Sequence, residues 1–311
     1  NCKFQNNSTG VSFSSGLGRI SGCTVSNNNV GFSGSSSSPQ VDSCIVSNNT
    51  SHGIYFTSST CSPTITNSII ANNGSYGIYY DYGYGQIKIS NNQISDNSNW
   101  GVCISGASSG TEVKNNSIRN NKSGGIISYT YTNIANNTIS DNLGDGIYAG
   151  SSSIAIKYNT INNNTGDGVE TNSDIVIDQN KIYSNGENGI NAFSNPIITY
   201  CDIYRNCDDG IETSGLPTVN YNNFADNTGY NIRATAEPTG IINAENNYWG
   251  TAIENEIKDK IWDFYDTGGS VAKVDYSPFF TEKIELLPVT GFTAQTLSGG
   301  KVKLRWDVHT F

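Results

Sequence analysis

The chain has no methionine, only two histidines and seven prolines, and its 17 Lys and Arg residues are scattered rather than clustered. The missing basic cluster, with a net charge of −10, argues against a nucleic-acid partner or an anionic membrane surface. It also disfavours an acidic polysaccharide unless a cation bridges the two. No apolar run approaches the ~18 residues of a membrane span, and no segment reads as a signal peptide. Leucine is nearly absent. Cysteine numbers seven, an odd count with no CxxC pair and no Cys/His cluster, so neither a disulfide framework nor a zinc site is indicated. A chain that starts at Asn1 inside a repeat, without Met, is expected to be a mature or excised piece of a longer protein.

Asn, Ser, Thr and Gly dominate in place of these residues. Hydrophobic residues make up 35% and charged residues 14%, too polar for an ordinary globule and too regular for disorder. The regularity is a phrase with an aliphatic residue, an Asn three positions later and a Gly seven positions later. Its aliphatic reference recurs at Phe4, Val25, Val46, Ile70, Ile94, Ile118, Ile139, Ile161, Ile182, Ile203 and Phe224, and then at Tyr248. The Asn recurs at 7, 28, 49, 73, 97, 121, 142, 164, 185, 206 and 227. A second aliphatic column precedes the reference by five, from Ile20 to Val219, and a third follows the Gly, from Ile54 to Ile232.

Three aliphatic columns in every ~22 residues, parted by Asn and Gly turns, predict three short strands per coil and coils stacked in parallel at about 4.8 Å. A leucine-rich repeat would need leucine, and a hexapeptide helix would need periods in multiples of six. The expected fold is therefore all-β, a right-handed parallel β-helix of about eleven 21–24-residue coils. The inward Asn column should form a hydrogen-bonded ladder. The Gly column (53, 77, 101, 125, 146, 168, 189, 210) is expected to take φ > 0, with Asn231 substituting for it. Cys2, Cys23, Cys44 and Cys201 share a column with Ser68, Asn92, Asn116, Asn137, Asn159, Asn180, Asn222 and Asn246, where they read as buried small thiols. The many N-x-[ST] matches are by-products of the ladder.

After Trp249 the composition changes. Thr251-Ala252-Ile253-Glu254 has the pattern of a capping box, and Ile253, Ile257, Ile261 and Phe264 fall on one helical face, so a capping helix is predicted near 252–266. Residues 1–250 then form the β-helix, 251–287 the cap and closing segment, and 288–311 a separate start. The first coil's free edge is expected to be covered by upstream sequence or a neighbouring subunit.

The phrase over residues 1–250, closed by Asn246-Asn247-Tyr248-Trp249-Gly250 and Val274-Asp275-Tyr276-Ser277-Pro278-Phe279, resembles the right-handed β-helix repeat proteins of the pectate-lyase-like superfamily. It is most similar to the secreted and cell-surface members with carbohydrate-associated repeats. The resemblance implies a secreted or cell-surface location and a polysaccharide or cell-surface glycan as partner. It leaves activity open between lyases, hydrolases, epimerases, adhesins and spacers. The Gly-His-Gly and Arg-x-Lys motifs of polygalacturonase-like hydrolases and the Asp-Pro-His of alginate epimerases do not occur. Pro288-Val289-Thr290-Gly291-Phe292 through Trp306 resembles the first strands of a fibronectin type III domain.

Two adjacent columns should form one outward face. The residue before the Gly reads Tyr76, Trp100, Gly124, Asp145, Asp167, Asn188, Asp209 and Tyr230; the residue two after it reads Tyr55, Tyr79, Cys103, Ile127, Tyr148, Glu170, Asn191, Glu212 and Arg233. This face is aromatic toward the N-terminus and acidic toward the C-terminus. The corner beyond it carries Tyr80-Asp81-Tyr82-Gly83-Tyr84 and Tyr129-Thr130-Tyr131, read as further exposed aromatics. The carbohydrate-binding candidates are Tyr55, Tyr79, Tyr82, Tyr84, Trp100, Tyr129, Tyr131 and Tyr148, because flat rings with polar tips suit the faces of sugars. Glu170, Glu212, Asp167 and Asp209 are the candidates for acid–base chemistry, and Asp145 with Asp167 for a bound Ca²⁺; no other cofactor is expected. Adjacent rungs would set Asp145 and Asp167 about 5 Å apart, and Glu170 and Glu212 roughly 9–10 Å apart. His52 reads as a solvated turn residue. The reading that results is a non-catalytic shaft that binds carbohydrate. Its alternatives are a polysaccharide lyase or inverting hydrolase using the same acids, and a purely structural adhesin component.

Overall fold

The computed structural model describes residues 1–57, 61–237 and 239–285, together with the strands Thr293–Leu297 and Lys301–Arg305. Three parallel sheets wind around a common core. Sheet 1 has 11 strands, from Lys3–Gln5 to Asn223–Ala225. Sheet 2 has 12, from Thr9–Phe13 to Ile261–Trp262, and sheet 3 has 12, from Arg19–Ser21 to Lys273–Asp275. The register follows the repeat column for column: Ile94 pairs with Ile118, Ile78 with Val102 and Ile89 with Val113. The middle residue of most strands points inward and is fully buried, as Ile94, Ile118 and Ile139 are. Strands only three residues long hold together because all but the end strands are paired on both sides and pack on their own kind.

Asparagine supplies the corners. In the ladder, Asn97 Nδ2 donates to Asn121 Oδ1 (3.0 Å) and to the Ile70 carbonyl (3.3 Å), while the Asn97 backbone N–H donates to the same Oδ1 (3.2 Å). One side chain thereby satisfies backbone groups that the turn would orphan. A second ladder runs through Ser68, Asn92, Asn116, Asn137, Asn159, Asn180, Cys201 and Asn222. Cys201 continues it with sulfur, accepting the Asn180 N–H at 3.4 Å. All seven cysteines are free; Cys23, Cys44 and Cys201 are buried as expected, but Cys2, in the first coil with no coil packed before it among the described residues, is exposed.

Three sequence expectations need correction. The glycines of the repeat column are not in the left-handed region. That conformation belongs to the residue before each ladder position, including Asn27, Asn48, Asn72, Asn120 and Asn163 (φ 54–57°). This explains the Asn-Asn pairs: the first Asn turns the chain and the second enters the ladder. Gly is required for space, since a Cβ on Gly101 would lie 2.7 Å from Ile118 Cγ2, 2.8 Å from Asn121 Nδ2 and 2.9 Å from the Gly125 carbonyl. Asn231 likewise has no positive φ; its amide donates to the Trp249 carbonyl.

The last coil is shifted by one residue. Asn246 takes the left-handed turn, so Asn247 rather than Asn246 accepts from Asn222, and Trp249 rather than Tyr248 takes the reference position, stacked on Phe224 (centroids 5.1 Å). The helix is also shorter than expected, spanning Glu254–Lys258 with Ile257 buried. Thr251 does not cap it as a box with Glu254: its hydroxyl accepts the Ile253 N–H and bonds the Glu256 carboxylate. Ile261 lies in a sheet 2 strand, while Ile253 and Phe264 are exposed. In the fibronectin-like stretch, Thr293–Leu297 and Lys301–Arg305 pair antiparallel, and the rest lies outside the described residues.

Replacing Asn121 by Ala orphans two donors of Asn97 and is expected to cost about 1–3 kcal/mol. Gly101→Ala, which forces backbone and ladder apart, should cost a similar ~1–3 kcal/mol. Urea denaturation with a spectroscopic readout checks both.

Candidate functional site

The outward face of sheet 2 carries the expected column in register: Tyr55, Tyr79, Cys103, Ile127, Tyr148, Glu170, Asn191, Glu212 and Arg233 are paired neighbours, and Trp262 extends the row. The residues before the Gly run beside it, because their carbonyls accept the N–H of the Gly one coil earlier, as Trp100 does from Gly77. The face thus has two side-chain columns on strands that cannot shift without breaking the ladders beneath.

In the N-terminal half the rings gather. His52 belongs to the column that starts the face, a membership the sequence reading missed, and it is no solvated turn. Its ring lies 5.4 Å from that of Tyr55 and 5.5 Å from those of Tyr76 and Tyr79, centroid to centroid. Tyr76 and Tyr79 are 4.9 Å apart and Tyr55 and Tyr79 5.4 Å. Burial among these rings pushes the His52 pKa down, leaving a neutral imidazole whose Nδ1 is buried without a hydrogen-bond partner. Counting Gly53 backwards by one was the available signal. Burial also raises the Tyr79 hydroxyl, and Asp81 beside it adds to this. Trp100 lies over Gly124, where any Cβ would meet its ring. Tyr129 packs on Tyr148 at 5.7 Å.

The corner residues divide. Tyr82 and Tyr84 are each 77% exposed, and Tyr129 and Tyr131 about half exposed, as read from sequence. Tyr80 and Asp81 are not exposed: Tyr80 is a core residue whose hydroxyl donates to the Cys61 carbonyl, and Asp81 is buried, accepting from Ser105 Oγ at 2.7 Å. Alternation explains Tyr80, since Tyr79 points out and its neighbour must point in; Asp81 returns to the outward side and is covered there by the Tyr55 hydroxyl (3.4 Å) and Ser105.

In the C-terminal half the columns build a third ladder, of carboxylates. Asp145 Oδ1 accepts the Asp167 N–H (2.9 Å), Asp167 Oδ1 the Asn188 N–H (2.8 Å), Asn188 Oδ1 the Asp209 N–H (3.1 Å) and Asp209 Oδ1 the Tyr230 N–H (2.6 Å). Each remaining oxygen or amide reaches diagonally to the outer column: Asp167 to Asn191 Nδ2 (3.0 Å), Asn188 Nδ2 to Glu212 (3.3 Å) and Asp209 to Arg233 Nε. Asp209 is fully buried and neutralised by Arg233, so the sequence candidate is committed to an ion pair. Glu212 stands apart from Glu170 by the Asn191 rung.

Asp145, Asp167 and Glu170 come together, with ligating oxygens within 4.8 Å of one another. Burial raises Asp167 to about 6. Burial, then the charges of Asp145 and Asp167, raises Glu170 to about 7, and burial raises Asp145 as well. The arrangement can share a proton near neutrality, and its hard oxygen donors are of the type that a Ca²⁺ ion takes.

A family model described as "Right handed beta helix region" matches residues 1–122, 89–173 and 123–255. No curated protein sequence matches the chain. Among solved structures, the fold is similar to "Azotobacter vinelandii Mannuronan C-5 epimerase AlgE4 A-module", with a TM-score of 0.56 at 14% identity, covering 90% of this chain and 89% of that one. A second, "Crystal structure of pectate lyase Pel9A", has a TM-score of 0.37 at 14% identity, over 81% of this chain and 62% of that one.

The raised carboxylates make a pH prediction. Each binds its proton more tightly folded than unfolded, so between the ordinary carboxylate range and about pH 7 the folded state holds more protons, and stability falls as pH rises through that window. Glu170→Gln removes one such group and is expected to raise the melting temperature near pH 7.5 while changing it little near about pH 4. Thermal melts across that range check it; a uniform shift would show that the carboxyl charge is not responsible.

Proposed function

The chain belongs to the right-handed β-helix family, and from that premise we propose that it is a rigid extracellular or cell-surface shaft whose sheet 2 face binds carbohydrate without turning it over. The observation that carries this reading is the run of rings on one flat face: His52, Tyr55, Tyr76 and Tyr79 within 4.9–5.5 Å of their neighbours, followed by Trp100 and the Tyr129–Tyr148 pair. Rings held in register by the backbone lose little entropy on binding, and their faces and hydroxyls match the apolar and polar sides of a pyranose. Tyr82 and Tyr84 at the corner widen the same surface. The epimerase-module neighbour, at 14% identity, bears on the fold alone.

One observation favours a second reading, an enzyme acting on a polysaccharide. Glu170, raised to about 7 beside Asp167, is poised as a general acid or base in the middle of the face. A Ca²⁺ ion on the same three carboxylates would compete with that role by holding them ionised.

A glycan array, paired with reducing-end and unsaturated-product assays, tests both readings. Tyr79→Ala and Tyr148→Ala are each expected to weaken glycan binding by about threefold to tenfold while the chain remains folded at the assay temperature, which melting curves check. Turnover by the wild type that disappears in Glu170→Gln/Glu212→Gln would establish the enzyme instead. Absence of binding to any glycan would leave only a structural shaft.

A further inference from the structure

Sheet 1 carries its own aromatic column, which stops abruptly. Its third positions in successive late coils are Tyr183, Tyr204 and Ala225. Gly250 follows in the shifted last coil, 3.6 Å from the Ala225 Cα when a Cβ is placed on it. The Tyr183 and Tyr204 rings stack at 4.9 Å and 5°. Beyond Tyr204 the next two rungs of this column offer no side chain larger than a methyl, so the stack ends in a slot about two rungs long, roughly 10 Å, flanked in the adjacent column by Asn223 and Tyr248. The closing segment lies across the sheet beside it: the Ile284 N–H donates to Asn223 Oδ1 (2.8 Å) and Asn223 Nδ2 to the Ile284 carbonyl (2.9 Å), which places Lys283 at the slot.

The result is a cavity of about 330 Å³ whose wall includes Tyr204, Ala225 and Tyr248 and whose rim carries Asp202, Arg205, Asp226 and Lys283. The rim charges are arranged in pairs, Lys283 with Asp202 (3.4 Å) and Arg205 with Asp226 (3.5 Å). Each pair offers donors and an acceptor side by side, with no net charge between them. Such a rim suits hydroxyl groups, which both donate and accept, better than it suits a carboxylate or an ammonium. An aromatic wall with a neutral ring of paired donors and acceptors is a sugar-binding chemistry, and the volume lies at the small end of ligand sites, fit for one or two rings.

We propose that this slot on sheet 1 is a second binding site, for a neutral pyranose, a single sugar or the end of a chain, stacked on Tyr204. It lies on a different sheet from the aromatic and acidic face, and it does not depend on how that face functions.

The test is titration of the whole chain with neutral monosaccharides and disaccharides (glucose, galactose, mannose, xylose and their β-linked dimers), followed by saturation-transfer NMR, with a hexuronate and a phenolic acid as contrasting probes. The expected result is binding of at least one neutral sugar that survives Tyr79→Ala. Ala225→Tyr should abolish it, because that side chain completes the stack and fills the slot in a column that already holds two tyrosines. Tyr204→Ala should weaken it by about tenfold. Melting curves that match the wild type confirm that Ala225→Tyr is folded; if it is not, Ala225→Leu serves as the filling variant. Binding of only the hexuronate or the phenolic acid, no binding of any neutral sugar, or binding that is unchanged when the slot is filled would overturn the proposal.

Discussion

Everything in this molecule depends on one constraint: a strand three residues long is stable only if the residue above it and the residue below it are the same kind in the same place. At a rung spacing of about 4.8 Å an asparagine carbonyl sits where the previous coil's amide and backbone N–H both reach it. Asn97, bonded to Asn121 and to the Ile70 carbonyl, has no unmet donor and imposes the identical geometry on the coil that follows. A conventional core is polar outside and apolar inside. Here a buried polar column is as regular as the apolar ones, which is how a chain with 35% hydrophobic residues remains ordered.

The same rule governs the surface. Columns that must repeat inside also repeat outside, so a side chain with a chemical purpose acquires neighbours above and below at fixed spacing. Rings gather into a stack around His52 and carboxylates into a ladder from Asp145 to Asp209 by the same mechanism. Proximity of like groups is therefore the default in this architecture. What distinguishes a position is departure from its column: Arg233 neutralising Asp209, or Ala225 ending a run of tyrosines.

The sequence revealed the three strand columns, the Asn ladder and the composition of the sheet 2 face, because each is a matter of period, and period survives without coordinates. It placed Asn28 in the ladder but gave the positive φ to the Gly column rather than to Asn27, since a turn asparagine and a turn glycine have the same composition signal and only the backbone shows which residue has φ > 0. At Asn246-Asn247, where the coil is one residue longer, the two adjacent asparagines were exchanged and the last coil was displaced by one. Tyr80 was misread as exposed because the alternation of Tyr79 was not carried one residue further, and Asp81 because its cover, the Tyr55 hydroxyl and Ser105, comes from the neighbouring coils. The commitment of Asp209 to Arg233 and the gathering of Asp145, Asp167 and Glu170 are diagonal relations between columns, and a column-by-column reading does not see diagonals.

Coil length varies between 21 and 25 residues, yet the turn from sheet 3 to sheet 1 is made by the same few positions around one left-handed residue. Most of the variation falls instead at the corner after sheet 2, where Tyr82, Tyr84, Tyr129 and Tyr131 stand. The array is thus phase-locked on one side and slack on the other. An insertion at the locked corner would throw every later column onto the wrong face, whereas one at the slack corner only lengthens a loop. Novelty in such a protein has a single point of entry, and it opens beside the aromatic face.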